Sequence, residues 1–198
     1  MDWITSTPAR AFWSGVALVL VVALIWLAAW GDEYRNVYLP GIGFVLVRIV
    51  HVLAAMIWVG LIWYVNFAQL VAVEALDDVG RVAVRKEIAP RVAFWFRHMA
   101  TLTVLSGIVL IFFTEHMSFE GIGRPKGALL LVSMLLGVVM LGFVHAVVWP
   151  GMQVILGLRP GDAAAKQAAR KRVKTFARLN LVLAIPTSAA MIGAAHLY

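Results

Sequence analysis

A chain of 198 residues that is 63% apolar and only 14% charged, with a mean hydropathy of +0.91, lies outside the range of soluble domains and reads as an integral membrane protein. The lack of cysteine excludes disulfides, thiolate nucleophiles, iron–sulfur clusters, thiolate-bound zinc and the C-x-x-C-H attachment of c-type haem. The net charge of +7 comes from basic residues in a few loops beside apolar spans, where they read as topology and contact with lipid headgroups, with no nucleic acid as partner.

About 20 helical residues cross the roughly 30 Å hydrocarbon core, and hydropathy predicts five spans, at about 11–30, 43–73, 92–114, 127–156 and 176–197. The expected fold class is all-α integral membrane: five transmembrane helices, an N-terminal helix plus a four-helix bundle, in a single transmembrane domain over residues 1–198. The first span carries no charge and is followed by no small-residue cleavage site, so it reads as a retained helix and not a signal peptide. Its Trp13, Trp26 and Trp30 read as interfacial belt residues. The second and fourth spans exceed what a bilayer needs, and must tilt or project beyond the lipid.

Orientation follows from the loops. With the N-terminus inside, the inner segments hold twelve basic residues: Arg10, Arg81, Arg85, Lys86, Arg91, Arg159, Lys166, Arg170, Lys171, Arg172, Lys174 and Arg178. The outer loops hold three, Arg35, Arg124 and Lys126. That bias predicts a cytoplasmic N-terminus and a periplasmic C-terminus in the inner membrane of a bacterium. The segment Asp162 to Arg178 reads as a helical extension of the fifth span along the membrane surface, with a solvated basic face.

Histidine is the informative residue. An ionisable side chain inside the bilayer is costly, so its presence points to function. Three of the five histidines, His51, His98 and His145, fall inside predicted spans, and His196 closes the last one. On the second span His51, Trp58, Ile62, Asn66 and Gln69 recur near multiples of 3.6, which gives one polar face directed into the bundle. On the fourth, Ser133, Gly137, Leu141, His145 and Trp149 follow at four-residue steps, a small-residue stripe that permits close helix packing or leaves room for a flat cofactor. His98 and His145 each lie roughly 9 Å from the inner edge, and His51 roughly 15 Å from the outer edge, on the side where His196 ends the chain's last helix. Two levels of paired histidine suit one or two b-type haems, each iron taking an imidazole from two helices; the competing reading is that the histidines hydrogen-bond helices together. His116, beside Glu115 in an outer loop, reads as solvated.

Arg97 and Arg48 are candidate partners for haem propionates, with snorkelling near a helix end as the alternative. Lys126, at a helix start beside Pro125 and Gly127, reads as an interfacial anchor, with an axial-ligand role as the alternative. A His/Met copper site is a further option, drawing on Met56 and Met191 near His51. Pro186 predicts a kink in the last span. No Ser/His/Asp constellation, phosphate loop, H-E-x-x-H or dinucleotide fingerprint is present, and no carboxylate lies in the core of any span, which argues against a proton-coupled carrier.

The run from His51 through Trp58 to Gly60, then Asn66, Phe67 and Gln69, Pro90, Phe94 to Arg97, Trp149 with Pro150, Ala177, Arg178 and Asn180, Ile185 with Pro186, Met191, and Ala195 with His196, resembles the membrane domain of the bacterial membrane-bound urate oxidase family. The likeness is dispersed over residues 43 to 198. The His-x6-Trp opening is also similar to haem-binding membrane protoporphyrinogen oxidases and to copper-resistance membrane proteins. The resemblance implies a helical membrane module in redox chemistry, whose members often pass electrons to a fused cytochrome c domain. No such domain follows in this sequence, so the implied electron acceptor is a separate cytochrome c or a quinone. The resemblance supports His51 and His196 as ligands, and depth matching supports His98 and His145.

The expected function is therefore a membrane-embedded b-type haem protein that transfers electrons and oxidises a small reduced substrate at its outer face. The alternative is a non-catalytic membrane subunit or an assembly or copper-handling factor, in which the histidines pack helices or bind metal within an oligomer or larger complex.

Overall fold

The computed structural model describes residues 6–29, 31, 41–113 and 119–196. Trp30, Arg35, Glu115 and His116 lie outside these, as does the side chain of Trp26. Among the described residues there is helix and no strand. The elements in chain order are α1 (Pro8–Ala29), α2 (Ile42–Ala75), α3 (Asp78–Ile111), the short α4 (Phe119–Ile122), α5 (Pro125–Leu156) and α6 (Ala163–His196). Five of them are long and apolar enough to cross a bilayer, so the chain is an all-α, multi-pass membrane protein.

The chain divides into two compact units, Met1–Val45 and Leu46–Tyr198. In the first, α1 is apolar all round from Val16 on, and none of its apolar window is buried. In the second, α2, α3, α5 and α6 share one core drawn from all four: Trp58 and Ile62, Phe96 and Ala100, Met140 and Val144, and Ala184. Much of the remaining buried set is small, including Ala54, Ala177, Ala190, Ala194 and Gly137. Small side chains suit a lipid-embedded bundle, where close backbone approach replaces the hydrophobic drive that water would give. Large apolar residues such as Phe67, Leu105, Leu135, Val182 and Ile192 face outward, as a lipid-solvated surface requires.

The helices run longer than their apolar stretches. The third begins at Asp78 and the last at Ala163, some four turns before the hydrophobic spans that hydropathy marks. Both starts are capped by carboxylates: Asp77 accepts from the amide of Gly80 at 2.8 Å, and Asp162 from that of Ala165 at 2.7 Å. The segment after Asp162 is thus one helix with the last span, and Pro186 lies within that helix without ending it. At the end of α5, Gly157 takes φ +79° and closes a Schellman turn, with the amide of Leu158 donating to the carbonyl of Gln153 at 2.8 Å. The N-terminal parts of α3 and α6, with Arg159 between α5 and α6, carry most of the basic residues and mark the basic end of the bundle; His196 lies at the opposite, far end.

Three turns of π-helix interrupt the long helices, at Val65–Gln69, Val84–Ile88 and Val144–Val148. Two of them precede a proline. Pro90 and Pro150 have no amide hydrogen and would clash with the carbonyls four residues back, and widening the preceding turn relieves that clash without breaking the helix. The third has another cause. The side-chain amide of Asn66 donates to the carbonyl of Ile62 at 2.8 Å, taking the place of a backbone donor, and the ladder shifts so that Leu70 bonds to Val65.

Candidate functional site

In the far half of the bundle, α2, α3, α5 and α6 enclose a cavity of about 590 Å³, open on one side, whose wall is almost wholly apolar. His51 and Trp58 of α2 line it, together with Gly107 of α3, Ser133 and Gly137 of α5, and Thr187 of α6. The volume is within the range of pockets that hold small organic ligands and cofactors.

The imidazole of His51 is half-buried, and its Nδ1 lies 2.9 Å from the carbonyl oxygen of Thr103 and 3.2 Å from Oγ of Ser106. A carbonyl only accepts, so Nδ1 carries the hydrogen. The Ser106 hydroxyl is itself turned to the carbonyls of Leu102 and Thr103, at 2.6 and 3.1 Å, and so accepts the second limb of a forked bond. In the neutral ring the lone pair is then on Nε2, which bonds to no described residue. A ring fixed through one nitrogen with the other left basic is the arrangement that metal-ligating histidines adopt. Gly107 makes room for it: a Cβ at that position would meet Cε1 of His51 at 3.0 Å.

Trp58 is 3% exposed and forms part of the cavity floor, and its indole nitrogen is buried without a hydrogen-bond partner. Met56 and Met191 line the same cavity, and so do Met134 and Met140 of α5, which the sequence alone did not single out. Arg48 is exposed on α2, one turn nearer the far end than His51. His196 is exposed, its Nδ1 donates to the carbonyl of Ile192 at 2.8 Å, and it is not part of the cavity wall. Lys126 is half-buried in the first turn of α5.

The other two histidines lie together near the basic end. His98 is exposed, its Nδ1 donates to the carbonyl of Phe94 at 2.7 Å, and its ring lies 4.2 Å from that of Phe94. His145, in the π turn of α5, places Nε2 2.9 Å from Oγ1 of Thr101. That hydroxyl donates to the carbonyl of Arg97 at 3.0 Å, so His145 supplies the hydrogen through Nε2. Arg97 and His98 are its neighbours at this level. The guanidinium of Arg97 stacks over the indole of Trp149 at 3.9 Å, a cation–π contact. A smaller cavity of about 100 Å³ opens at this level, lined by Asn66, Gln69, Phe96, Arg97 and Trp149.

The structure thus brings His51, Trp58, Met56 and Met191 around one space, and gathers His98, His145 and Arg97 at another. Among the described residues there is no group of three or more histidines and carboxylates that could hold a metal ion. What sequence reading missed is the wall opposite His51. Thr103, Ser106 and Gly107 are small and polar residues three or four apart in an apolar helix, a pattern that was legible but unused. Searches against family models, curated proteins and solved structures find no match for this chain.

Proposed function

We propose that the chain is a b-type haem protein of the bilayer, with the haem seated in the 590 Å³ cavity on Nε2 of His51. The observation that carries this reading is the forked bond from Nδ1 to Thr103 and Ser106, which leaves a basic nitrogen beside a large apolar space. The cavity's volume, its open side, and the glycines at 107 and 137 suit a flat, hydrophobic macrocycle. Haem bound there would supply a one-electron couple within the membrane.

The surrounding residues have distinct tasks. Thr103 and Ser106 orient the imidazole and raise its basicity. The apolar side chains of the wall keep bulk water out. Arg48, one turn towards the far end, offers a guanidinium to a propionate. His196, at that same end, is the candidate second ligand, reached by turning its ring away from Ile192. His98 and His145 line neither cavity, and the one at their end is only about 100 Å³, which supports a single haem at His51 over a second one at the basic end.

The likeness of the His51 to His196 motif set to membrane-bound urate oxidases supports oxidation of a small reduced substrate at the far face. A cytochrome c or a quinone then takes the electrons. The excess of basic residues at one end supports a cytoplasmic N-terminus and a periplasmic C-terminus in a bacterial inner membrane.

A second reading draws on the same cavity. Met56, Met134, Met140 and Met191 share it with His51, a soft donor set suited to Cu(I) in a copper-handling or assembly role. The deciding experiment is a dithionite-reduced minus air-oxidised spectrum of the purified protein, with a pyridine haemochrome and metal analysis. A sharp α-band at one haem per chain is expected. A featureless spectrum from protein made with ample haem sinks the cytochrome reading, and stoichiometric copper in that protein replaces it with the His/Met site.

A further inference from the structure

The bundle leaves buried side-chain polar atoms without partners, and apart from Oε1 of Gln153 they follow a line. Asn180 of α6 is fully buried, 0% exposed, and neither its Oδ1 nor its Nδ2 has a hydrogen-bond partner. Trp58 Nε1, Asn66 Oδ1 and Gln69 Oε1 are likewise buried and unpartnered. Each such atom costs about 1–3 kcal/mol if it stays dry. Natural interiors meet that cost with internal water, which makes two to four bonds to groups of this kind.

Their order along the bundle is fixed by one contact. Nδ2 of Asn66 donates to the carbonyl of Ala177 at 3.1 Å, so these two residues share a level near the basic end. Asn180 lies three residues along α6 from Ala177, a rise of about 4.5 Å towards the far end. Four residues further, about 6 Å, comes Ala184, which shares the core and the floor of the His51 cavity with Trp58. A single water bonded on both sides spans about 5.5 Å, the size of each step. The small cavity at the Asn66 level, about 100 Å³, has room for about three waters at roughly 30 Å³ each. Asn66 and Gln69 offer it acceptors and Arg97 a charged donor. Two of the π turns flank this cavity, and a widened turn is how α2 directs Asn66 and Gln69 into it.

We propose that a file of internal water runs from the Asn66–Gln69–Arg97 cavity through Asn180 to the indole of Trp58, giving water and protons a route from the basic end to the floor of the His51 cavity. Asn180 is its midpoint and narrowest place. With both a donor and an acceptor on one side chain, it passes a hydrogen-bonded chain from one level to the next; an Ala there would leave room for water to do the same, whereas a Leu would fill the space with an apolar group. The route is independent of what the His51 cavity holds.

Water-edited solid-state NMR on the full chain in lipid bilayers tests it, reading transfer from water to the side-chain amides of Asn66 and Asn180 and to the Trp58 indole. All three are expected to build up several-fold faster than the backbone amide of Ala100, a buried residue on α3. In Asn180→Leu the Trp58 signal should fall to the Ala100 level while Asn66 stays fast. In Asn180→Ala, which leaves space for water, Trp58 should remain fast. A wild-type Asn180 amide as slow as Ala100 overturns the proposal, and this needs no variant to fold. Fast transfer to Trp58 in Asn180→Leu overturns it too, since the indole would then be wetted from the outer cavity. Loss of the Trp58 signal in Asn180→Ala overturns it as well.

Discussion

Nδ1 of His51 lies 2.9 Å from the carbonyl oxygen of Thr103, and that contact decides which nitrogen of the ring is left to act. The bond joins α2 to α3 across the wall of the 590 Å³ cavity. It uses a backbone carbonyl, so the partner survives most side-chain changes at position 103.

Replacement of His51 therefore separates function from folding. His51→Ala is expected to abolish the reduced-minus-oxidised α-band while the protein remains extractable and helical by circular dichroism. Thr103→Val should keep the band, because the carbonyl remains. An unaltered spectrum in His51→Ala would move the ligand elsewhere.

Gly107 is expected to act through His51. Its added Cβ would approach Cε1 of the imidazole to 3.0 Å, so Gly107→Ala must tilt the ring. Overpacking of this kind costs about 1–3 kcal/mol. The expected outcome is lowered haem retention with His51 still present, measured as the haem-to-protein ratio after detergent washing, and Gly107→Val should be worse.

The amide nitrogen of Asn66 bonds to the carbonyl of Ile62 within α2 at 2.8 Å and to that of Ala177 at 3.1 Å, and the second bond joins α2 to α6. A hydrogen bond between membrane helices averages about 0.6 kcal/mol, so Asn66→Leu should lose about that much. Unfolding in mixed detergent micelles checks this. A loss far above that figure would show that the π turn at Val65–Gln69 collapses with the side chain.

α5 and α6 pack closely where a Cβ on Gly151 would fall 2.6 Å from Cγ2 of Val173. Gly151→Ala should destabilise by about 1–3 kcal/mol. Val173→Ala in the same chain should restore most of it. A double-mutant cycle on thermal unfolding gives the coupling, and additivity of the two changes would show that α5 and α6 separate locally without strain.

Glu74 near the end of α2 pairs with Lys174 of α6, both partly exposed at the basic end. Exposed pairs are worth about 0–1 kcal/mol and fade with salt. Charge reversal at Lys174 alone should cost that little, the double exchange Glu74→Lys with Lys174→Glu should restore it, and both effects should vanish at high ionic strength.

Hydropathy and charge, which are sums over neighbours in the chain, determined that this is a five-span helical membrane protein, where its spans lie, and which of its ends is basic. They also placed His51 and Trp58 on one inward face, because helical periodicity is a local property. They could not extend α3 back to Asp78, since a helix beyond the lipid needs caps and packing and not apolar residues. Nor could they show how His51, His98, His145 and His196 differ. Each has one ring nitrogen tied up, yet only His51 turns its bond across to a neighbouring helix while lining a large cavity, and that depends on Thr103, Ser106 and Gly107 some fifty residues away. Matching depths brought His98 and His145 to the same end of the bundle, while the hydrogen bonds to Phe94 and Thr101 came from rotamers and the π turn at Val144–Val148. The line of buried amides through Asn180 is also a tertiary result: it exists only because Asn66 meets Ala177 across 111 residues of chain, which fixes the register of α2 against α6.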